Sequence, residues 1–299
     1  MSNFLKSRSF GYGLVSVVYI TALIISYWLY FWIDGISPIW ELLIIDIAAT
    51  LWIYLWSCVF RNASLYDPYW SIAPLFLGLF WLDQSYQYIG DVPLKLWIIY
   101  GIIALWAIRL TYNFTAYYQG LTYEDFRYKF FRGKTGKWFW IVNLFGIQVM
   151  PTVLVFLGSL SMSYSLTSLN SPKITVFDII GFVVAGGAIA LEAVADNQMH
   201  KFVKKRTDRN QIMDQGLWSR SRHPNYFGEV AFWWGLFFFA LGADLTSWWT
   251  IVGPIGMVVL FLTYSIPAMD KHQLTRKEAY KEYMEKTPAF IPRLFKRKK

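Results

Sequence analysis

Gly216-Leu-Trp-Ser-Arg-Ser-Arg-His-Pro-Asn-Tyr-Phe-Gly-Glu229 runs directly into Val230-Ala-Phe-Trp-Trp-Gly-Leu-Phe-Phe-Phe-Ala-Leu-Gly-Ala243. The first half gathers two arginines, a histidine, an asparagine, a tyrosine and a glutamate, and the second half carries no charge. Polar groups massed where an apolar run begins are costly unless they are paired or occupied. The junction therefore reads as the edge of a membrane span with a bound polar ligand beside it.

Working outward, apolar runs of this kind recur from the N-terminus to about residue 268. The 299 residues are 56% hydrophobic and only 16% charged, against roughly 25% charged in soluble domains. Each run of ~20 residues is long enough to cross a bilayer as a helix. The expected fold is all-α: one integral-membrane domain over residues 1–299, a polytopic bundle of about eight helices. The spans fall at about 10–33, 38–60, 68–89, 92–117, 138–165, 174–195, 226–243 and 246–268, the third being interrupted by Asp83 and Gln84. The first is too long for a signal-peptide core, and no small-residue cleavage site follows it. The single cysteine, Cys58, excludes an internal disulfide and reads as a packing residue in an apolar run.

The net charge of +9 follows one side of the membrane, which argues against nucleic acid as the partner. Lys6, Arg8, Arg61, the basic stretch Arg127–Lys137, the stretch Lys201–Arg222 and the tail after 270 occupy alternate loops; Asp34, then Asp83 and Asp91 with Lys95, then Lys173, then Asp244 occupy the others. The positive-inside rule then places both termini in the cytoplasm, in a bacterial inner membrane or the endoplasmic reticulum. Trp28, Tyr30, Trp32, Trp81, Trp97, Trp218, Trp248 and Trp249 near span ends read as interfacial anchors. Gly181, Gly186 and Gly187 follow no strand and read as helix-packing glycines rather than a dinucleotide fingerprint. Three histidines without clustered carboxylates make no metal site.

Three constellations could carry chemistry. Glu192 and Asp196 stand four residues apart at the end of the sixth span, so both carboxylates project from one helical face that His200 continues. Arg220, Arg222, His223, Asn225, Tyr226 and Glu229 surround a helix start at Pro224. Free N–H groups and arginines there favour phosphate or carboxylate, and Glu229 inside the span needs a partner. Asp67 between Tyr66 and Tyr69 sets an acid among phenols, able to polarise a carbonyl oxygen when desolvated, or else simply a cap before Pro68. Tyr123–Tyr128 alone reads as a solvated loop, and Asp46 as an isolated acid in the second span.

Ser64–Trp70, Arg109-Leu110, Glu124–Tyr128, Glu192–Gln198 with Phe202, and Gly216–Glu229 together resemble the DUF1295 group of steroid 5α-reductase-like membrane proteins over about residues 60–295. The resemblance implies a seven-helix core plus an added N-terminal helix, with loops and tail forming a cofactor pocket. It implies reduction of a carbon–carbon double bond conjugated to a carbonyl, with NADPH as cofactor. By the same resemblance Glu192, Asp196, Asn225, Glu229 and Tyr280 are cofactor contacts, and Asp67 falls near a substrate-polarising glutamate. The substrate expected is an apolar lipid entering from the bilayer. Related membrane methyltransferases share the Arg-His-Pro run and bind S-adenosylmethionine, and a non-enzymatic lipid-binding protein is a third reading. The loop Lys201–Arg222, with seven basic residues against two acids, favours the phosphate-bearing cofactor.

Overall fold

A computed structural model describes residues 7–167 and 173–293; Lys6 and the basic residues from 296 onward lie outside them. Eight long helices build the bundle: α1 (Arg8–Trp32), α2 (Pro38–Phe60), α3 (Tyr69–Ile89), α4 (Leu94–Tyr117), α5 (Phe126–Ser165), α6 (Val176–Lys205), α7 (Pro224–Ala243) and α8 (Leu245–Leu274). A short α9 (Tyr280–Lys286) follows in the tail.

The ends are written locally. Ser7 accepts from the Phe10 N–H at 3.3 Å to start α1, and Asp244 accepts from Thr246 N–H at 2.8 Å to start α8. Thr175 and Asp178 form a reciprocal capping box at α6. Proline opens α2 and α7, where its missing N–H costs nothing. Arg61, at φ +50°, ends α2 in the left-handed region.

Seven of the eight are long and apolar enough to cross a membrane, and the chain is an integral-membrane bundle by that measure. The exception is α3. At 21 residues it has the length to span ~30 Å of hydrocarbon, but Asp83, Gln84 and Gln87 lower its apolarity. Those groups are not idle: Tyr30 of α1 donates to Asp83 at 2.7 Å and accepts from Gln87 at 2.8 Å. Two expected boundaries also move. α5 begins at Phe126 rather than 138, and α6 runs on to Lys205 rather than stopping near 195. Both extensions carry basic side chains beyond the apolar core, so a hydropathy window ends before the helix does.

The tightest seam lies between α6 and α7. A Cβ on Gly235 would meet the backbone of Ala185, one on Gly228 the Glu192 side chain, and one on Gly181 the Phe239 ring and the Gly235 carbonyl. In lipid, where no hydrophobic effect drives helices together, such close approach is what binds them. Gly186 and Gly187 do not join the seam, because nothing lies within 4 Å of either Cβ position. The packing role expected for all three glycines thus belongs to Gly181 alone. Above the seam Trp106 of α4 stacks on Phe232 at 4.4 Å and 5° and meets Trp233 edge-on.

Gly235→Val places two methyls against backbone that has no rotamer to change. Overpacking of this kind costs typically ~1–3 kcal/mol, so the melting temperature in detergent should fall, whereas Gly187→Ala should leave it level or raise it. Equal effects from the two would show that the seam does not hold the bundle.

Candidate functional site

One arginine inside α4 organises the site. Arg109 reaches Glu192 and Asp196 of α6, the latter at 2.7 Å, and lies 3.6 Å from Glu229 of α7. Asn113, one turn along α4, also donates to Asp196. Glu229 accepts from two indoles, Trp106 at 3.2 Å and Trp233 at 3.3 Å. Three carboxyl groups and one guanidinium thus share a largely buried space, which a low-dielectric interior tolerates only when the set is mutually paired. Two atoms in it have no partner among the described residues: Glu192 Oε1 and Arg109 Nε.

These groups line a cavity of about 680 Å³, within the range of ligand sites. Asp67 lines the same cavity from the connection between α2 and α3. Its phenol partner is not one of its sequence neighbours. Tyr128 of α5 donates to Asp67 at 2.6 Å, while Tyr66 bonds Thr152 at 2.7 Å and Tyr69 donates to Asp46, both away from the cavity lining. Burial pushes the Asp67 carboxyl up to about 7, the nearby Arg127 charge and the Tyr128 hydrogen bond opposing it. The connection is held from outside: Asn62 donates to the Leu121 and Tyr123 carbonyls at 2.7 and 2.8 Å, and Glu124 accepts from Ala63 N–H at 2.9 Å. The stretch Tyr123–Tyr128 is therefore a clamp and a cavity wall rather than a solvated loop.

A second, outer chamber of about 290 Å³ shares Met199, Trp218, Asn225 and Tyr226 with the first. Arg206 and Lys277 line it, and neither is ion-paired among the described residues. Burial, with Arg206 and Arg276 alongside, lowers the Lys277 ammonium below its ordinary value, and Lys277 donates to the Gln211 carbonyl at 3.0 Å. Asn225 and Tyr226 stand where the chambers meet.

Arg222, His223 and Tyr280 line the outer chamber as well, and there they also serve a latch. Asp270 of α8 takes Arg222 at 2.7 and 3.3 Å, His223 at 2.9 Å and Tyr280 at 2.7 Å. Arg222 also donates to the carbonyls of Met284 and Thr287. Burial and the Asp270 bond hold the Tyr280 phenol well above its ordinary value, so it stays protonated as the donor. His223 stacks on Tyr226 at 5.1 Å, and Arg220 is exposed and lines neither chamber. His200 packs on Tyr117 at 4.5 Å outside both linings. Asp270 was missed in sequence, and Arg109 and Tyr128 stood there only as parts of motifs. Arg109 is the sole charge between Leu96 and Tyr117, which marks an intramembrane ion seeking partners.

Asp270→Ala strands the buried Arg222 charge, a loss of about 3–5 kcal/mol, and should expose the tail to limited proteolysis. Tyr280→Phe removes one hydrogen bond to a charged group, about 1.5–3 kcal/mol. If Tyr280 acts only in the latch, its melting loss is the same with and without NADPH; a larger loss with NADPH would make it a direct contact.

The comparisons with known proteins name no reaction. An uncharacterized protein of Schizosaccharomyces pombe is 25% identical over 257 residues, covering 78% of this chain and 74% of the relative. No solved structure matches. The sequence model of one family, described as a protein of unknown function, matches residues 53–287, which includes both chambers, the Arg109 cluster and the latch. The chain belongs to the DUF1295 family.

Proposed function

We propose that the chain is an NADPH-dependent reductase of a carbon–carbon double bond conjugated to a carbonyl, acting on an apolar lipid at the basic, cytoplasm-facing end of the bundle. The observation that carries the reading is the pairing of two chemically opposite chambers across Asn225 and Tyr226. The outer one offers unpaired cations, Arg206 and Lys277, which would hold phosphates. The inner one is lined by the Asn225 amide and by the Glu192, Asp196 and Glu229 carboxyls, acceptors suited to the N–H groups of a carboxamide. When bound, NADPH supplies a hydride. Glu229, fixed by two indoles, and Asn225 would orient the reacting end in the inner chamber.

Asp67 is the proposed acid. A carboxyl near pH 7 in its titration is substantially protonated at neutral pH and can donate to the substrate carbonyl as negative charge develops there. Tyr128, hydrogen-bonded to it, fixes its orientation. Tyr66 and Tyr69 hold the backbone on either side of Asp67 by their own buried hydrogen bonds.

A different observation favours S-adenosylmethionine. Three carboxyls around one guanidinium leave the inner chamber rich in acid, which suits a sulfonium and an ammonium. The uncompensated cations of the outer chamber oppose it. Melting of detergent-purified protein decides between them: NADPH should raise the transition, and stabilisation by S-adenosylmethionine alone would reverse the assignment. No response to either points to a lipid carrier.

Asp67→Asn should lower turnover by about a hundredfold or more, the contribution of a positioned general acid, with NADPH affinity nearly unchanged. Because the protonated form is the active one, turnover should fall as pH rises through about 7. Tyr128→Phe removes a bond that favours the ionised carboxyl, so the alkaline limb should move to higher pH. An unmoved limb would assign the titration to another group.

A further inference from the structure

α5 and α8 each lose regular winding once inside the bundle, and they do so around the same cavity. Asn143–Val149 and Phe261–Ser265 are π-turns. In each case a proline, Pro151 or Pro267, follows two residues after the turn. A proline ring collides with the carbonyl four residues back in an α-helix, and a wider turn relieves the collision. Such turns are rare and concentrate at functional sites. Gly146 and Ile147 of the first turn and Phe261, Tyr264 and Ser265 of the second line the inner chamber.

The two helices touch toward either end of the stretch that these turns occupy. On one side a Cβ on Gly253 would strike the backbone of Leu157 and Gly158, and one on Gly256 would lie 3.2 Å from the Leu154 side chain. On the other, Phe131 stacks on Tyr264 at 6.2 Å and Phe126 on His272 at 3.8 Å. From Gly256 to Tyr264 is about 12 Å of helix at 1.5 Å per residue. Within that interval Gly146 is exposed, and the nearest atom to its Cβ position is its own neighbour Val142 at 4.0 Å. Met150 both lines the chamber and is exposed, and Phe145 and Leu262, one from each π-turn, are exposed as well. The rim is apolar while Asp67 and Tyr128 lie within, an arrangement that suits a molecule with one greasy end and one polar end.

We infer that the gap between the two π-turns is a lateral doorway, and that its occupant is a bilayer lipid with a single long apolar tail and a carbonyl-bearing head that enters first. The identity of the head rests on the reductase reading; the doorway does not. The test uses full-length protein in phosphatidylcholine nanodiscs and a long-chain enone carrying a diazirine near its head, with photolabelling of cavity peptides as the readout. Wild type should label the peptides holding Asp67 and Tyr128. Gly146→Trp should slow that labelling at least about tenfold, because a filled gap closes to a packed interior. Met150→Ala, which enlarges the gap without a new ring, should speed it. Val259→Trp, exposed on α8 and outside the lining, should change nothing. Labelling indifferent to both Gly146→Trp and Met150→Ala, or absent from the cavity in wild type, overturns the doorway. Doorway-dependent labelling in a protein that NADPH fails to stabilise retains the doorway and overturns the reductase reading instead.

Discussion

The guanidinium of Arg109 is the constraint on which the rest depends. It stands on α4 and draws carboxyl groups from both α6 and α7. A lone ion at this depth would be expelled, and three lone carboxyls more so; together they are tolerated because each supplies the other's solvation. Gly228 allows the arrangement, since a side chain there would displace Glu192. Glycine packing and ion pairing are therefore one design: helices close enough for backbone contact are also close enough to focus four charged groups on a single cavity.

The site uses that focus asymmetrically. Acid dominates the inner chamber, base the outer one, and Asn225 and Tyr226 occupy the boundary. Asp67 approaches from a connection that the α4–α5 loop and α5 hold in place, so its carboxyl is positioned by tertiary contacts rather than by its own helix.

Much of this was legible in the sequence, for a specific reason. Apolar runs and basic loops obey bilayer constraints that leave few alternatives, so all eight helices stood out, α3 included despite Asp83. Glu192, Asp196 and Glu229 were readable as ions in apolar surroundings. What stayed hidden was pairing across sequence distance. Asp67 lies beside two tyrosines in the chain, yet its partner is Tyr128, 61 residues away. Arg222 and His223 carry the chemistry of an anion site, but Asp270 already occupies them. Composition shows which groups need partners; only the fold shows which partner arrives.

The latch has a consequence for how the molecule comes into being. Met284, Thr287 and Pro288, whose carbonyls receive Arg222, all follow the eighth helix in the chain. Synthesis runs from the N-terminus, so the helices can enter the bilayer and the inner cluster can pair before the outer chamber has its wall. Assembly is thus ordered in time. The membrane bundle is complete first, and the outer chamber is sealed last, by residues that follow the eighth helix.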